Sequence, residues 1–179
     1  MTAIRDSIIQ IDTDKNNPLR SHSREVTNDE FGSVMLRDVI SSMKQALLRE
    51  HDGVALAAPQ IGVPLRLFVV AESSYDEEVK HKPLVFINPK ILKKSKKTAI
   101  MQEGCLSVRW IYGKTKRSIA ATVEAYDEGG KKFTYGAHGL LAHIFQHEID
   151  HLDGILFIDH GFDLEEFTEE EVMEASKKK

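Results

Sequence analysis

The amino-acid sequence predicts an α+β fold in which antiparallel β-sheets surround a central helix and an amphipathic helix lies near the N-terminus. Three observations carry this prediction. Apolar residues recur at helical spacing in residues 31–47 and in residues 139–152, and residues 119–135 alternate in polarity around a turn. Because strand patterns gather in the middle of the chain and helical patterns towards its ends, segregated helices and sheets are favoured.

The N-terminal helix is predicted from its start signal and its periodicity. Thr27 is followed three residues later by Glu30, which is the spacing of a capping box. Apolar side chains then recur at helical intervals, and they are Phe31, Val34, Met35, Val39, Met43 and Leu47. The pattern predicts a helix that follows this box and ends at about Glu50.

Two strands are predicted next, at residues 65–70 and at residues 84–88, each from a short apolar run. Pro89 is expected to stop the second strand because it has no N–H to donate. The polar stretch between the strands, residues 72–82, is interpreted as a surface loop. The lysine-rich residues 90–97 are interpreted as a solvated edge without a binding role.

A hairpin and the central helix follow. Residues 119–126 alternate in polarity and predict a strand. Asp127-Glu128-Gly129-Gly130 predicts a turn, and residues 132–135 predict the second strand of the hairpin. Residues 139–152 have the helical period, and Gly154 just beyond them is a typical stop signal.

The end of the chain is predicted to carry a last short helix over residues 165–176, followed by Lys177-Lys178-Lys179. The chain has 179 residues and 41% hydrophobic content, which suits one domain with its own core. We therefore expect a single domain over residues 1–179, with a C-terminal tail from about residue 165.

Composition and charge argue against several classes of protein. Net charge is −4, with 24 basic and 28 acidic residues, so no specific nucleic acid partner is expected. One cysteine excludes an intramolecular disulfide and suits a reducing compartment. Charged residues interrupt the first fourteen positions, which argues against a signal peptide, and no apolar run is long enough to span a bilayer. We expect a cytoplasmic protein with no transit-like leader and no membrane partner.

The strongest chemical signal is the segment Gln146-His147-Glu148-Ile149-Asp150-His151. Histidines at i and i+4 share one face of a helix and can bind one metal ion, with the glutamate between them beside it. The only thiol, Cys105, is the best third ligand on chemical grounds, and the fourth position would stay open as in catalytic sites. The alternative is an amphipathic helix whose histidines merely face a polar cleft.

These residues would support hydrolysis. An ion held by two imidazoles and a thiolate supplies hydroxide near neutral pH, and Glu148 would take the water proton and pass it to a leaving amine. The oxyanion would need a donor, which the Leu106 backbone N–H or the Gln60 amide could provide. Gln60 lies in the small-residue segment 53–62, which taken alone is better explained as an ordinary helix-to-strand connection.

Three segments together resemble the signature motifs of peptide deformylases. In chain order they are Gly53-Val54-Ala55-Leu56-Ala57-Ala58-Pro59-Gln60, Glu103-Gly104-Cys105-Leu106-Ser107 and Gln146-His147-Glu148-Ile149-Asp150-His151. The resemblance extends to the stretches around them and covers the chain from about Ile8 to Asp159. The second and third motifs together are highly specific for this family.

The resemblance implies roles for individual residues. Glu148 would be the general acid/base, and Gln60 with the Leu106 N–H would stabilise the formyl oxyanion. The substrate would be the N-formylmethionine end of nascent polypeptides, with at most a transient contact to the ribosome. The ion in this family is typically Fe²⁺, and Zn²⁺, Ni²⁺ or Co²⁺ can replace it. Three residues would bind it, namely Cys105, His147 and His151.

The resemblance also implies a binding pocket for the methionine side chain near Val54, Leu140 and Ile144. Glu103 is expected to support the metal site from behind, with a surface carboxylate as the alternative, and His143 is expected at the pocket mouth. The residues implicated in substrate binding are Gly53, Val54, Ala55, Glu103, Gly104, Leu140, His143 and Ile144.

Several positions depart from the family pattern. Ala55 stands where glycine is usual, Arg109 where proline is common, and His143 where arginine or an apolar residue is frequent. Trp110-Ile111-Tyr112 makes an unusual rim. Ala55 removes no catalytic group, so we expect reduced or altered activity at worst. Arg109 and the unusual rim bear on substrate preference and not on the reaction.

Three other functions remain open from the sequence. A zinc peptidase would take Glu165 or Glu166 as its third ligand, since Phe157 occupies the place of a third histidine. A cysteine hydrolase would use Cys105 as its nucleophile. A non-catalytic binding module would use the ion only to stabilise its fold.

Overall fold

The computed structural model describes residues 7–11, 17–79 and 82–176. The first fourteen positions, on which the prediction of no signal peptide depends, lie partly outside this range. Residues 80 and 81 of the predicted surface loop and the predicted end at residues 177–179 lie wholly outside it. In chain order, the strands of the described residues are β1 (Ala55–Ala57), β2 (Leu67–Val70), β3 (Val85–Lys94), β4 (Thr98–Cys105), β5 (Val108–Ser118), β6 (Ala120–Tyr126), β7 (Lys132–His138) and β8 (Phe162–Glu166). The α-helices are α1 (Val34–Leu48), α2 (Gly139–Leu152) and α3 (Glu169–Ser176).

The strands form two sheets. One has the strand order β1-β2-β3-β6-β7 and the other has the order β4-β5-β8. All pairings between these strands are antiparallel. This confirms the predicted mixed α/β fold with antiparallel sheets. None of the helices in the described part of the chain is long and apolar enough to cross a membrane.

Helix α1 begins later than the sequence predicts. The Thr27–Glu30 box does form, because the Thr27 N–H donates to Glu30 Oε2 across 2.8 Å, but it closes a turn and not a helix. Gly32 has a φ of 71°, which breaks the helical path, and Ser33 then caps the helix by accepting the Leu36 N–H at 3.1 Å. The prediction that the helix follows the box directly is therefore wrong.

Strand β3 continues through Pro89, where the sequence predicts its end. The pairing with β6 shifts register between Ile87 and Lys90, and Asn88 has a φ of 49°. The Asn88 side chain stabilises this irregularity by bonding both the N–H and the carbonyl of Val26, each at 2.8 Å. A proline is tolerated at such a bulge because the ladder is already interrupted there.

The second sheet is largely absent from the sequence prediction. Strands β4 and β5 form a long hairpin that the polarity pattern did not indicate, and β8 adds to β5. Glu165 and Glu166 belong to β8, and the last helix begins at Glu169. The predicted helical start at residue 165 is therefore wrong.

The β6–β7 hairpin and helix α2 agree with the sequence prediction. Helix α2 spans Gly139–Leu152, and Gly154 beyond it has a φ of 75°. Most residues of the helix from Ala142 onwards are buried. Phe145 packs its ring 4.9 Å from that of Phe86 and 6.0 Å from that of Phe68 in the five-stranded sheet. This packing fixes the rotation of α2 and directs its histidine face towards β4 and β5.

Candidate metal centre and active site

The structure brings the three predicted metal ligands together. Cys105 is the last residue of β4, and His147 and His151 lie one turn apart on α2. Their ligand atoms all lie within 4.8 Å of one another, and Cys105 Sγ is 3.1 Å from Nε2 of His151. Among the described residues, no other group of His, Cys, Asp or Glu ligand atoms converges in this way. Glu165 and Glu166, the peptidase alternatives, are exposed on β8 and do not join the group.

One ring nitrogen of His147 is already engaged. Its Nδ1 lies 2.5 Å from Oε1 of Glu103, a carboxylate that is only 5% exposed. Nε2 of the same ring is therefore the atom available for an ion, which is the usual way in which a carboxylate orients a metal-binding histidine. The alternative of a surface carboxylate at Glu103 does not hold, because the residue is buried.

Glu103 accepts hydrogen bonds from residues of two elements, β5 and α2. Arg117 contributes Nε at 2.9 Å and Nη2 at 2.8 Å, and the Thr115 hydroxyl and His143 Nε2 also bond this carboxylate. Burial alone would raise the pKa of Glu103, but the hydrogen bonds from Arg117, His143 and His147 hold that pKa well below its usual range. The group is therefore a fixed anion behind the site.

His143 was expected at the mouth of the pocket, and its position is different. The residue is 5% exposed, and its Nε2 lies 2.5 Å from Oε2 of Glu103. It is part of the cavity wall, but it is buried against the anion behind the metal ligands. Because Glu103 is ionised and only accepts hydrogen bonds, His143 Nε2 carries the proton of this contact.

Glu148 lies next to the ligand set and is 4% exposed. Its Oε2 has no hydrogen-bond partner among the described residues. Burial raises the pKa of Glu148 to about 7, against an opposing effect of the His147 charge. A carboxyl group with a pKa near neutrality can both accept and return a proton at physiological pH.

The predicted oxyanion donors border the same space. Gln60 is 1% exposed, and its Oε1 accepts the Ala57 N–H at 2.8 Å, which fixes the orientation of the amide. Its Nε2 faces Ser107 Oγ at 3.1 Å and Cys105 Sγ at 3.8 Å. Leu106 follows Cys105 at the tip of the β4–β5 hairpin and also lines the cavity.

A single cavity of about 720 Å³ contains most of these groups. It includes Cys105, His147 and Glu148, whereas His151 lies beneath it at 1% exposure. The residues predicted for substrate binding all line it, and they are Gly53, Val54, Ala55, Glu103, Gly104, Leu140, His143 and Ile144.

Part of the cavity wall was not predicted from the sequence. Phe167, Glu171 and Val172 come from the segment after β8, and Asp52 and Gln102 also line the cavity. No motif marks the C-terminal residues, because they reach the cavity only through the pairing of β8 with β5. Of the unusual rim, Trp110 and Tyr112 line the cavity, but Ile111 packs into the core cluster with Leu156 and Phe157.

The donor set fits a divalent transition metal. One thiolate and two imidazoles suit Zn²⁺, Fe²⁺, Co²⁺ or Ni²⁺, and they leave one coordination position open. Burial lowers the pKa of His151 well below its usual value, so the ring is neutral as a ligand must be. Glu148, next to this set, has a buried carboxyl oxygen that no described residue bonds, and this oxygen would be able to accept a proton from water activated by such an ion.

Comparison with known proteins decides the family. The family model described as polypeptide deformylase matches residues 8–167. The chain belongs to the polypeptide deformylase family. This confirms the resemblance carried by the three motifs and the prediction of an enzyme.

Curated relatives support this assignment. Peptide deformylase 2 of Clostridium acetobutylicum is 41% identical over 152 residues, which cover 84% of this chain and 93% of that protein. The peptide deformylase of Rhizobium meliloti is 50% identical over 108 residues, which cover 60% of this chain and 61% of the relative. The chain therefore spans less than two thirds of this second relative.

A solved structure extends the similarity to the fold. The class I type b peptide deformylase of Acinetobacter baumannii, solved with Met-Ala-Ser bound, superposes with a TM-score of 0.76 at 28% identity. The match covers 88% of this chain and 100% of the solved one. The two-sheet arrangement around α2 is thus shared with a protein of this family.

Proposed function

We propose that this protein removes the formyl group from N-formylmethionine at the start of nascent polypeptides and releases formate. One observation carries the proposal: in this member of the deformylase family, a sulfur and two imidazole nitrogens lie within 4.8 Å of one another beside a buried carboxyl group, and Cys105, His147 and Glu148 line one cavity. The whole chain is taken as one catalytic domain that acts in the cytoplasm, with only transient ribosome contact.

Cys105, His147 and His151 are the proposed metal ligands, and Fe²⁺ is the proposed ion in the cell. When bound, the ion lowers the pKa of a water molecule and polarises the formyl oxygen. His147 is held for this role by Glu103, which bonds its Nδ1 at 2.5 Å. The anion also neutralises part of the positive charge that the site gains with the ion.

Glu148 is the proposed general acid/base. Its carboxylate receives the proton of the attacking water and then returns it to the leaving amine of methionine. A pKa of about 7 suits both transfers, because the group is ionised often enough to accept and acidic enough to donate. Burial also keeps bulk water from competing for this proton.

Gln60 and the backbone N–H of Leu106 are the proposed oxyanion donors. The Gln60 amide cannot rotate freely, because its Oε1 is bound to the Ala57 N–H at 2.8 Å. A donor fixed in advance stabilises the tetrahedral intermediate without reorganisation. The methionine side chain is assigned to the part of the cavity next to Val54, Leu140 and Ile144.

The test is formate release from formyl-Met-Ala-Ser by protein purified without oxygen and loaded with Fe²⁺. We expect turnover of this peptide, which a chelator should abolish and added Fe²⁺ should restore. Glu148→Ala should reduce kcat by a factor of at least about 100, whereas Glu25→Ala, a change at an exposed carboxylate, should leave it unchanged. The absence of formate with the iron-loaded protein would refute the function, and full activity of Glu148→Ala would refute the mechanism.

A further inference from the structure

The turn at the tip of the β4–β5 hairpin carries two parts of the proposed site. It joins Cys105, the last residue of β4, to Val108, the first residue of β5, and these two residues pair with each other. Cys105 supplies the proposed sulfur ligand, and Leu106 directly after it supplies the proposed oxyanion N–H. We call residues 105–108 the ligand turn. Its conformation therefore affects metal binding and the reaction at the same time.

The central peptide of the ligand turn joins Leu106 to Ser107. A peptide between the two paired ends of a turn takes no part in the strand ladder, so other partners determine its orientation. Its N–H, which belongs to Ser107, donates to Sγ of Cys105 at 3.4 Å. Its carbonyl, which belongs to Leu106, accepts a hydrogen bond from Nε2 of Gln10 at 2.9 Å. One rigid peptide thus connects the Gln10 amide to the sulfur ligand.

The Gln10 side chain is itself held in place. Its Oε1 accepts the Arg109 N–H at 3.4 Å, and its backbone carbonyl accepts a hydrogen bond from Nδ2 of Asn17 at 3.1 Å. The preceding residue, Ile9, is buried in the same apolar cluster as Val108. The amide is therefore directed at the ligand turn by contacts on both sides.

The residues on either side of Gln10 bind the same region. The Ile9 N–H donates to the carbonyl of Gln60 at 2.8 Å, and the Ile11 N–H donates to the carbonyl of Ser107 at 3.0 Å. Residues 9–11 thus connect the backbone of Gln60, one proposed oxyanion donor, to the turn that carries the other. None of the three sequence motifs includes this segment.

A hydrogen bond to a metal-bound sulfur changes what the sulfur gives to the ion. It withdraws electron density from the thiolate, and its strength depends on the direction of the N–H. Without the Gln10 donor, the Leu106 carbonyl would lose a partner next to Ser107, which is fully buried. A polar group left in this way rotates towards another partner, and the same rotation would turn the Ser107 N–H away from the sulfur.

We infer that Gln10 is a positioning residue that fixes the central peptide of the ligand turn. Through this peptide it sets the hydrogen bond to the Cys105 sulfur and directs the Leu106 N–H. Gln10 is not among the residues that line the cavity, so it acts through the turn alone. The part of the inference that concerns the Leu106 N–H rests on the proposed function, whereas the part that concerns the sulfur does not.

The first test is the absorption spectrum of the Co²⁺-loaded protein, in which charge transfer from sulfur to cobalt gives a near-ultraviolet band. Gln10→Glu keeps the size of the side chain and an acceptor for the Arg109 N–H, but it removes the donor to Leu106. A sulfur that has lost its hydrogen bond is more electron-rich, so the band should move to longer wavelength. Gln10→Ala should shift it in the same direction. An unchanged band in both variants would overturn the inference.

Two control variants separate positioning from a general loosening of the protein. Gln45→Glu makes the same chemical change at an exposed glutamine of α1 and should leave the band unchanged. Ile9→Val removes one buried methyl group from the same N-terminal segment but keeps the Gln10 amide, so the band should also stay in place. A shift in Ile9→Val as large as that in Gln10→Glu would overturn the assignment to the amide.

The kinetic test uses formyl-Met-Ala-Ser and protein loaded with Fe²⁺, with kcat expressed per bound iron. Because Gln10 acts on groups of the reaction and lies outside the cavity, Gln10→Glu should lower kcat by about 10-fold. KM should stay within about twofold of the wild-type value, since the cavity wall is unchanged. Gln45→Glu should match the wild-type protein in both constants. A raised KM with unchanged kcat would overturn the positioning role.

The results separate this inference from the proposed function. If the wild-type protein hydrolyses no formyl peptide, the proposed function and the role of Gln10 towards the Leu106 N–H both fail. The cobalt spectrum then still decides the role of Gln10 towards the sulfur. If the band shifts while kcat stays unchanged, the role towards the sulfur is supported and the role towards the Leu106 N–H is overturned.

Discussion

His147 Nδ1 and Glu103 Oε1 lie 2.5 Å apart, so this imidazole has a single nitrogen left for a metal ion. The same carboxylate also accepts hydrogen bonds from Arg117 and His143, so its position is set independently of His147. A ligand that is oriented before the ion arrives raises metal affinity, because less order has to be imposed on binding.

Replacement of Glu103 should weaken metal binding. Glu103→Gln removes the negative charge and forces the amide to compete for the same donors, so the affinity for Zn²⁺ should fall by about 10- to 100-fold. Competition with a chromophoric chelator measures this value. Glu25→Gln at an exposed position is the control and should bind as the wild-type protein does. Unchanged affinity of Glu103→Gln would show that the contact does not orient the ligand.

Burial of Glu148 should make the stability of the metal-free protein depend on pH. The pKa of Glu148 is about 7 in the folded protein and about 4.5 in the unfolded chain, so folding favours the protonated form. The stabilisation that this group gives to the folded protein is fully present below pH 4.5 and is lost as pH rises through 7. The loss amounts to about 3 kcal/mol in the free energy of unfolding.

The measurement is urea unfolding of metal-free wild-type protein and of Glu148→Gln between pH 4.5 and pH 8. Subtraction of the two profiles removes the titration of other groups that the variants share. As pH rises across this range, the free energy of unfolding of the variant should increase by about 3 kcal/mol relative to that of the wild type. A difference that stays constant with pH would contradict a buried, protonated Glu148.

Gly154 should be intolerant of any side chain. Its φ is 75°, and a Cβ atom there would lie 2.9 Å from the Arg20 carbonyl carbon. Gly154→Ala should therefore lower the free energy of unfolding by about 2 kcal/mol or more, from backbone strain together with the displacement of a neighbouring segment. Gly136→Ala is the control, because its nearest neighbour would be Thr122 Oγ1 at 3.9 Å. Equal stability of both variants in thermal unfolding would contradict this interpretation.

The sequence predicted those elements whose signals are local. Helix α2 and the β6–β7 hairpin follow from periodicity and from turn residues close to them in the chain. The predicted start of α1 is wrong because the Thr27–Glu30 box closes a turn, and Gly32 breaks the helical path before the true cap, Ser33. The end of β3 was misplaced because Asn88 stabilises a bulge through Val26, which is 62 residues away in the sequence.

The same distinction holds for the site. Cys105, His147, Glu148 and His151 could be chosen from the sequence because their side-chain chemistry is distinctive and their motifs are short. The burial of His143 against Glu103 and the approach of Phe167 to Tyr112 could not be predicted in this way. Both depend on which strands and helices become neighbours, and residue spacing carries no information on that.

X-ray absorption spectroscopy of the Zn²⁺-loaded protein tests the central claim most directly. Coordination by Cys105, His147 and His151 predicts one sulfur at about 2.3 Å and two nitrogens at about 2.0–2.1 Å, with one further light ligand. The sulfur shell should disappear in Cys105→Ala. A spectrum of the wild-type protein with nitrogen and oxygen neighbours alone would contradict the metal centre described above.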